Sequence, residues 1–258
     1  MNTNLIPLNQ TYKIKQTFID HPNIKKTYDE IYKYSQDHGF IKPNSAYNRP
    51  KGRIYDQAVL FNSPNVDFNN KVVCELGARD GIFGSWLTQF ASKVYMSDYF
   101  EAWGKGTKDD LGQFEYWQKI WKDSAYNPDR LVCETQDMMK LTYPDNMFDI
   151  VICTSVIEHT FNQAQWMGDM IAIREMRRIL KPGGLLLLST DMGDKTTWHS
   201  GTLYYSETDL FDRIINPSKC KLNGEYNFSL DDIYNDSIDK IDCIGRITSV
   251  VFSLVKSL

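Results

Sequence analysis

The chain has 258 residues, 42% of them apolar, and a formal net charge of −4 at pH 7. That length suits one α/β domain with additions and is ample for a full hydrophobic core. The mild negative charge argues against a nucleic-acid partner, which calls for a basic stripe; the longest run of a single apolar residue, Leu185 to Leu188, is far too short to cross a membrane.

Residues 1–66 precede the first strand pattern and are expected to form an N-terminal helical cap, with the main domain over 67–258. In the cap, Ile24, Tyr28, Ile31 and Tyr32 share one helical face, and Pro22 is placed as an N1 proline. Residues 44–51 are rich in turn formers and read as a loop. No charged-apolar-small leader opens the chain, so a cytoplasmic location is expected.

The segment from Val72 to Gly84 reads as a buried strand, a glycine turn and a helix. Such a passage makes a binding crevice at the strand's carboxyl end. Gly77 and Gly81 bracket the turn, where a side chain would block a ligand from the backbone while leaving the fold intact. Glycine spacing separates ligand classes. A dinucleotide site wants G-x-G-x-x-G, so that pyrophosphate rests on the helix N-terminus. Here Glu75 precedes the first glycine in E-x-G-x-x-x-G-x-x-G, and a carboxylate there repels phosphate and suits a cationic ligand. The following helix places Trp86, Leu87 and Phe90 on one face.

A short strand over 93–98 ends in Asp98, about 20 residues past the first glycine, where a Rossmann-like fold sets a carboxylate against ribose hydroxyls. Phe114, Trp117 and Trp121 recur at helical spacing. They read first as a helix docked on the core and, with Trp103, second as an aromatic wall beside a ligand. Strand patterns follow at 131–135 and 148–154, then a helix, then Lys181-Pro182-Gly183-Gly184, which stops that helix before the apolar strand at 185–191. Residues 196–201 read as a loop suited to a lid, and Ser206 with Asp209 as a helix cap. The last apolar strand is Ile247–Lys256. Five cysteines show no C-x-x-C pair, and Cys74, Cys133 and Cys153 fall inside buried strands as small core residues.

In order, the turn at 75–84, Asp98, the Asp137-Met138 pair, the run 144–149 and the signature 175–188 resemble class I S-adenosylmethionine (SAM) dependent methyltransferases. The resemblance implies a Rossmann-like three-layer α/β sandwich. Its seven-stranded, mostly parallel sheet has the order 3-2-1-4-5-7-6, with strand seven antiparallel. It implies SAM as cofactor and S-adenosyl-L-homocysteine (SAH) as product. Asp137 then meets the adenine amino group and Met138 the adenine face. Cofactor contact extends to Glu75, Gly77, Ala78, Arg79, Gly81, Asp98, Tyr99 and Thr154. Strand seven falls on Ile247–Lys256.

Residues after the fourth and fifth strands face the methyl group in this architecture. Candidates for removing an acceptor proton are His159, Asp191 and His199, with Asp194 nearby in sequence. Thr154-Ser155-Val156-Ile157 lacks the Pro-Pro-aromatic box of nucleobase amino-methyltransferases, and Thr154 stands where catechol-type enzymes place a metal-binding Asp. No metal set is read. The expected reaction is O-methylation of a small polar acceptor, a sugar or a nucleotide-linked sugar such as a GDP-heptose. In overall pattern the chain resembles sugar O-methyltransferases of bacterial surface polysaccharides. Two alternatives stand beside it: a C-methyltransferase of a quinone or lipid precursor, and a non-catalytic SAM-binding module. Neither acceptor identity nor oligomeric state is legible.

Overall fold

The computed structural model describes residues 10–11, 20–40, 52–79, 81–100, 113–228, 239–241 and 245–258. The expected loop at 44–51 and Trp103 lie outside them. In chain order the elements are β1 (Gln10–Thr11), α1 (Pro22–Asp37), α2 (Gly52–Phe61), β2 (Val72–Leu76), α3 (Phe83–Leu87), β3 (Lys93–Asp98), α4 (Gln113–Ser124), β4 (Leu131–Thr135), β5 (Phe148–Thr154), α5 (Gly168–Ile179), β6 (Leu180–Gly193), β7 (Thr197–His199), β8 (Thr202–Tyr204), α6 (Glu207–Leu210), β9 (Lys221–Leu222), β10 (Asp239–Ile241) and β11 (Gly245–Val255).

The central sheet runs β11-β6-β5-β2-β3-β4, parallel throughout except for β11. The first six places of the expected order are therefore met, with β11 as the antiparallel strand. Among the described residues the seventh place holds no single strand. Three short segments share the free edge of β11: β10 pairs at Gly245–Ile247, β1 at Val250–Val251 and β9 at Leu254–Val255.

Successive residues of a strand face opposite sides of a sheet, and the two cores follow from that alternation. Val73, Val94, Ile150, Ile152 and Leu187 point to the side covered by α1 to α4, where Ile24, Ile31, Ala58, Leu60, Trp86 and Trp121 meet them. Cys74, Val151, Cys153, Leu186 and Leu188 point to the side covered by α5 and α6, against Ile173, Met176, Leu210 and Ile214. The helices of the N-terminal segment thus share the sheet's own core. The three strand cysteines are buried free thiols. No helix among the described residues is long and apolar enough to cross a membrane.

Local expectations mostly hold. Pro22 opens α1 at N1. Trp121 is fully buried, with Phe114 and Trp117 packed against the same core, so the docked-helix reading of α4 is the correct one. Ser206 caps α6 by accepting from the Asp209 amide at 3.2 Å. Two elements differ. Helix α3 stops at Leu87, and Phe90 packs on Trp86 from the following turn with ring centroids 5.2 Å apart. The segment expected as a loop at 196–201 is mostly a hairpin, β7 against β8. Its two turn residues, Ser200 (φ 49°) and Gly201 (φ 85°), both take the left-handed conformation that a tight hairpin turn requires.

Candidate functional site

The site lies at the carboxyl ends of β2, β3, β5 and β6. Gly77 leaves β2 at φ +75°, and its amide and that of Ala78 both donate to the Ser97 carbonyl, at 2.9 and 3.0 Å. The Gly81 amide closes the turn on the Ala78 carbonyl at 2.7 Å. Glycine is needed at 77 for a different reason from the one the sequence suggests. A Cβ there would stand 2.5 Å from Val156 Cγ2, so a side chain collides with the β5 loop and the fold itself would suffer. Glu75 is buried and accepts from the Gly84 amide at 2.7 Å. Burial pushes its carboxyl up to about 7, with the Gly84 bond and Arg53 opposing.

Asp98 ends β3 and accepts from the Arg79 amide at 3.1 Å, which ties it to the glycine turn. Tyr99 follows it at the surface. Asp137 is half-buried, and its Oδ1 accepts from the Met139 amide at 2.9 Å, which fixes the turn that presents Met138. Thr154 is buried at the tip of β5. Glu75, Gly77, Ala78, Arg79, Gly81 and Asp98 therefore line one turn. Asp137 and Met138 stand beyond the next strand, after β4.

Helix α2 contributes two residues that no motif announced. Arg53 donates to the Ser155 carbonyl at 3.4 Å and comes within 3.9 Å of where a Cβ on Gly81 would be. Asp56 accepts from Ser189 Oγ at 2.6 Å and Ser155 Oγ at 3.4 Å. Burial pushes Asp56 up to about 8, with Asp191 adding to the rise and the serine bonds opposing it. One signal existed: Arg53 and Asp56 are charged residues among Ile54, Tyr55, Ala58, Val59 and Leu60, which are all buried.

The expected proton acceptors form part of one cluster. Asp191 is raised by burial, against a bond from Ser249 Oγ (3.2 Å) and the nearby His159. Glu158, missed as a site residue, is buried and pushed well above the carboxylate range by burial first and Asp191 second. It accepts from Thr190 Oγ1 at 3.0 Å. His159 sits in a single 3-10 turn, Ile157–His159, and is exposed. Its Nδ1 lies 2.9 Å from the Gly201 carbonyl at the hairpin tip. A carbonyl only accepts, so Nδ1 carries the proton and the neutral ring keeps its Nε2 lone pair. His199 pairs with Thr202 across the hairpin, and Thr202 Oγ1 is 3.4 Å from His159 Nδ1. His199 thus shares the hairpin face that meets His159. Asp194 is instead ion-paired to Arg246 at 2.7 Å.

An aromatic surface stands beside His159, elsewhere than α4. Phe161, Trp166 and Trp198 form a triangle with centroids 5.4, 5.5 and 6.4 Å apart, and Trp166 is 55% exposed. Ala164, Gln165 and Trp166 all have positive φ, a left-handed turn that is costly for residues other than glycine. The turn is held from below. Arg213 donates to the Trp166 carbonyl, ion-pairs with fully buried Asp169 at 2.7 Å and lies 4.6 Å over the Phe161 ring.

A family model described as a methyltransferase domain matches residues 46–213, more than half of the chain. The [4+2]-cyclase SpnF is similar in fold, with a TM-score of 0.59 and 12% identity over 98% of this chain and 99% of that one. The YcgJ protein of Bacillus subtilis aligns with a TM-score of 0.55 and 13% identity, over 79% of this chain and 99% of its own. A SAM-dependent methyltransferase from Mesorhizobium loti gives 0.51 and 13%, over 80% and 98%. At these identities the likeness is one of fold. A search of curated proteins finds no match.

Proposed function

The chain belongs to the methyltransferase domain family, and from that premise we propose that it uses SAM to methylate a hydroxyl of a small polar acceptor, a sugar or a nucleotide-linked sugar. The observation that carries the hydroxyl reading is His159. Its Nδ1 is committed to the Gly201 carbonyl, so Nε2 is the ring atom left to take a proton from an acceptor hydroxyl.

In this reading Asp98 receives the ribose hydroxyls, the turn from Gly77 to Gly81 receives the methionyl portion, and Asp137 with Met138 receives the adenine. Arg53, beside that turn, suits the cofactor's carboxylate. SAM supplies an electrophilic methyl, and the C–S electron pair stays on sulfur as SAH. The acceptor oxygen forms the new C–O bond, and its proton passes to His159 Nε2. Asp191 and His199 orient the hydroxyl. The exposed face of Trp166, within the triangle of Phe161, Trp166 and Trp198, suits the C–H face of a sugar ring, which packs on an aromatic plane.

The test is a screen of nucleotide sugars (GDP-mannose, UDP-glucose, UDP-galactose and dTDP-glucose) and of a nucleotide-sugar extract with methyl-labelled SAM. Products are identified by mass spectrometry. Label on a sugar oxygen supports the reading. Label on carbon or nitrogen, or none, overturns it.

A further inference from the structure

Asp56 carries a cost that the fold does not explain. The residue is 0% exposed. Its Oδ2 accepts from Ser189 and Ser155, while its Oδ1, equally hidden from solvent, has no hydrogen-bond partner. A buried carboxyl left half-satisfied destabilises a fold. Docking of α2 does not call for it, because Ile54, Tyr55, Ala58, Val59 and Leu60 already bury the helix.

The surroundings supply a reason. Ser189 and Asp191 are two apart on β6 and so project to one face of the sheet. Ser249 stands opposite Asp191 on β11 and donates to it at 3.2 Å. Ser155, Asp56, Ser189, Asp191 and Ser249 thus form a row of hydroxyls and acids across the carboxyl ends of β5 and β6 and the amino-terminal half of antiparallel β11. The row starts at Ser155, whose carbonyl takes the Arg53 bond. Arg53 and Asp56 are three apart on α2 and so share a helix face, which brings a cation to the glycine turn and an acid to the β5–β6 tips. Such a row matches a ligand with several hydroxyls, and it continues the crevice away from the cofactor turn.

We propose that Asp56 is a contact for the methyl acceptor, its Oδ1 accepting a hydrogen bond from an acceptor hydroxyl beside Ser155, Ser189 and Asp191. This rests on the reading of the crevice as the acceptor site. Because Oδ1 is out of solvent, admission of the acceptor requires α2 to shift outward from the strand tips.

Three measurements on Asp56→Asn and Asp56→Ala decide the matter. Calorimetry with SAM is expected to give a Kd within about twofold of the native protein; a larger loss places Asp56 on the cofactor side and overturns the proposal. Thermal unfolding at pH 9 is expected to show Asp56→Asn with a higher Tm than the native protein. A lower or equal Tm makes the carboxyl a structural tie between α2 and β6 and also overturns it. With the nucleotide sugars above and labelled SAM, transfer at low acceptor concentration is expected to fall about 3- to 10-fold in both variants, the scale of one hydrogen bond between neutral groups. Unchanged transfer overturns it. If the native protein transfers no label, the sugar reading falls, and the first two measurements still decide Asp56.

Discussion

Substituting Gly77 by alanine separates two costs that the structure assigns to one methyl group. The backbone sits at φ +75°, where a side chain costs about 1–2 kcal/mol. The added Cβ would lie 2.5 and 2.6 Å from the two Val156 γ-carbons and 2.9 Å from its β-carbon. Relieving such overpacking costs roughly 1–3 kcal/mol. The variant should therefore lose about 2–5 kcal/mol, a large share of the roughly 5–15 kcal/mol that holds a typical domain. Urea denaturation followed by circular dichroism measures it. Val156→Ala removes both γ-carbons, so Gly77→Ala/Val156→Ala should recover part of the collision cost and none of the backbone cost. The expected coupling in the double-mutant cycle is about 0.5–3 kcal/mol. A Gly77→Ala protein as stable as the native one would refute both the steric and the conformational argument, and a cycle with no coupling would refute the steric one.

Asp98→Ala should weaken SAM binding by about 1.5–3 kcal/mol in calorimetry, the scale for a hydrogen bond to a charged group; unchanged affinity removes the ribose assignment. His159→Ala should slow methyl transfer by a factor of about 10²–10⁴ while keeping SAM affinity, and near-native turnover would leave the reaction to proximity alone. Stability should fall as pH rises. Asp56 and Glu75 are raised by burial to about 8 and about 7, so between their unfolded and folded values the folded chain holds protons that the unfolded chain has released. Their contribution is complete below the ordinary carboxylate range and is lost as pH climbs through 7 to 8. For Asp56, a rise from 3.8 to about 8 converts, at about 1.4 kcal/mol per tenfold change in proton affinity, to roughly 6 kcal/mol. Urea denaturation at pH 5.5, 7 and 9 checks the trend; a flat or rising profile contradicts it, and Asp56→Asn should flatten it.

What the sequence determined by itself is what local pattern controls. The apolar runs of β2 and β5 announce strands covered on both faces, because parallel strands in an α/β sandwich have no solvent side. The glycine turn after Glu75, Asp98 at its offset, Pro22 at a helix start and the Ser206–Asp209 cap depend on neighbours close in the chain, and each is where the sequence places it. The order of the parallel strands was legible only through the resemblance to class I SAM-dependent methyltransferases, which implies it.

Tertiary structure decided everything that joins distant segments. Asp56 meets Ser155 and Ser189 across 99 and 133 residues, and no periodicity in α2 encodes that meeting. The His159 ring takes a defined tautomer only because the hairpin tip, 42 residues away, brings the Gly201 carbonyl to it. The aromatic surface forms from Phe161, Trp166 and Trp198, while the more conspicuous aromatic run in α4 goes into the core. The edge of β11 is shared by three short pieces from three parts of the chain. The physical reason is common to all four. A strand or helix is specified by hydrogen bonds and side-chain spacing along the chain. A site is specified by which surfaces pack together, and packing selects its members through space.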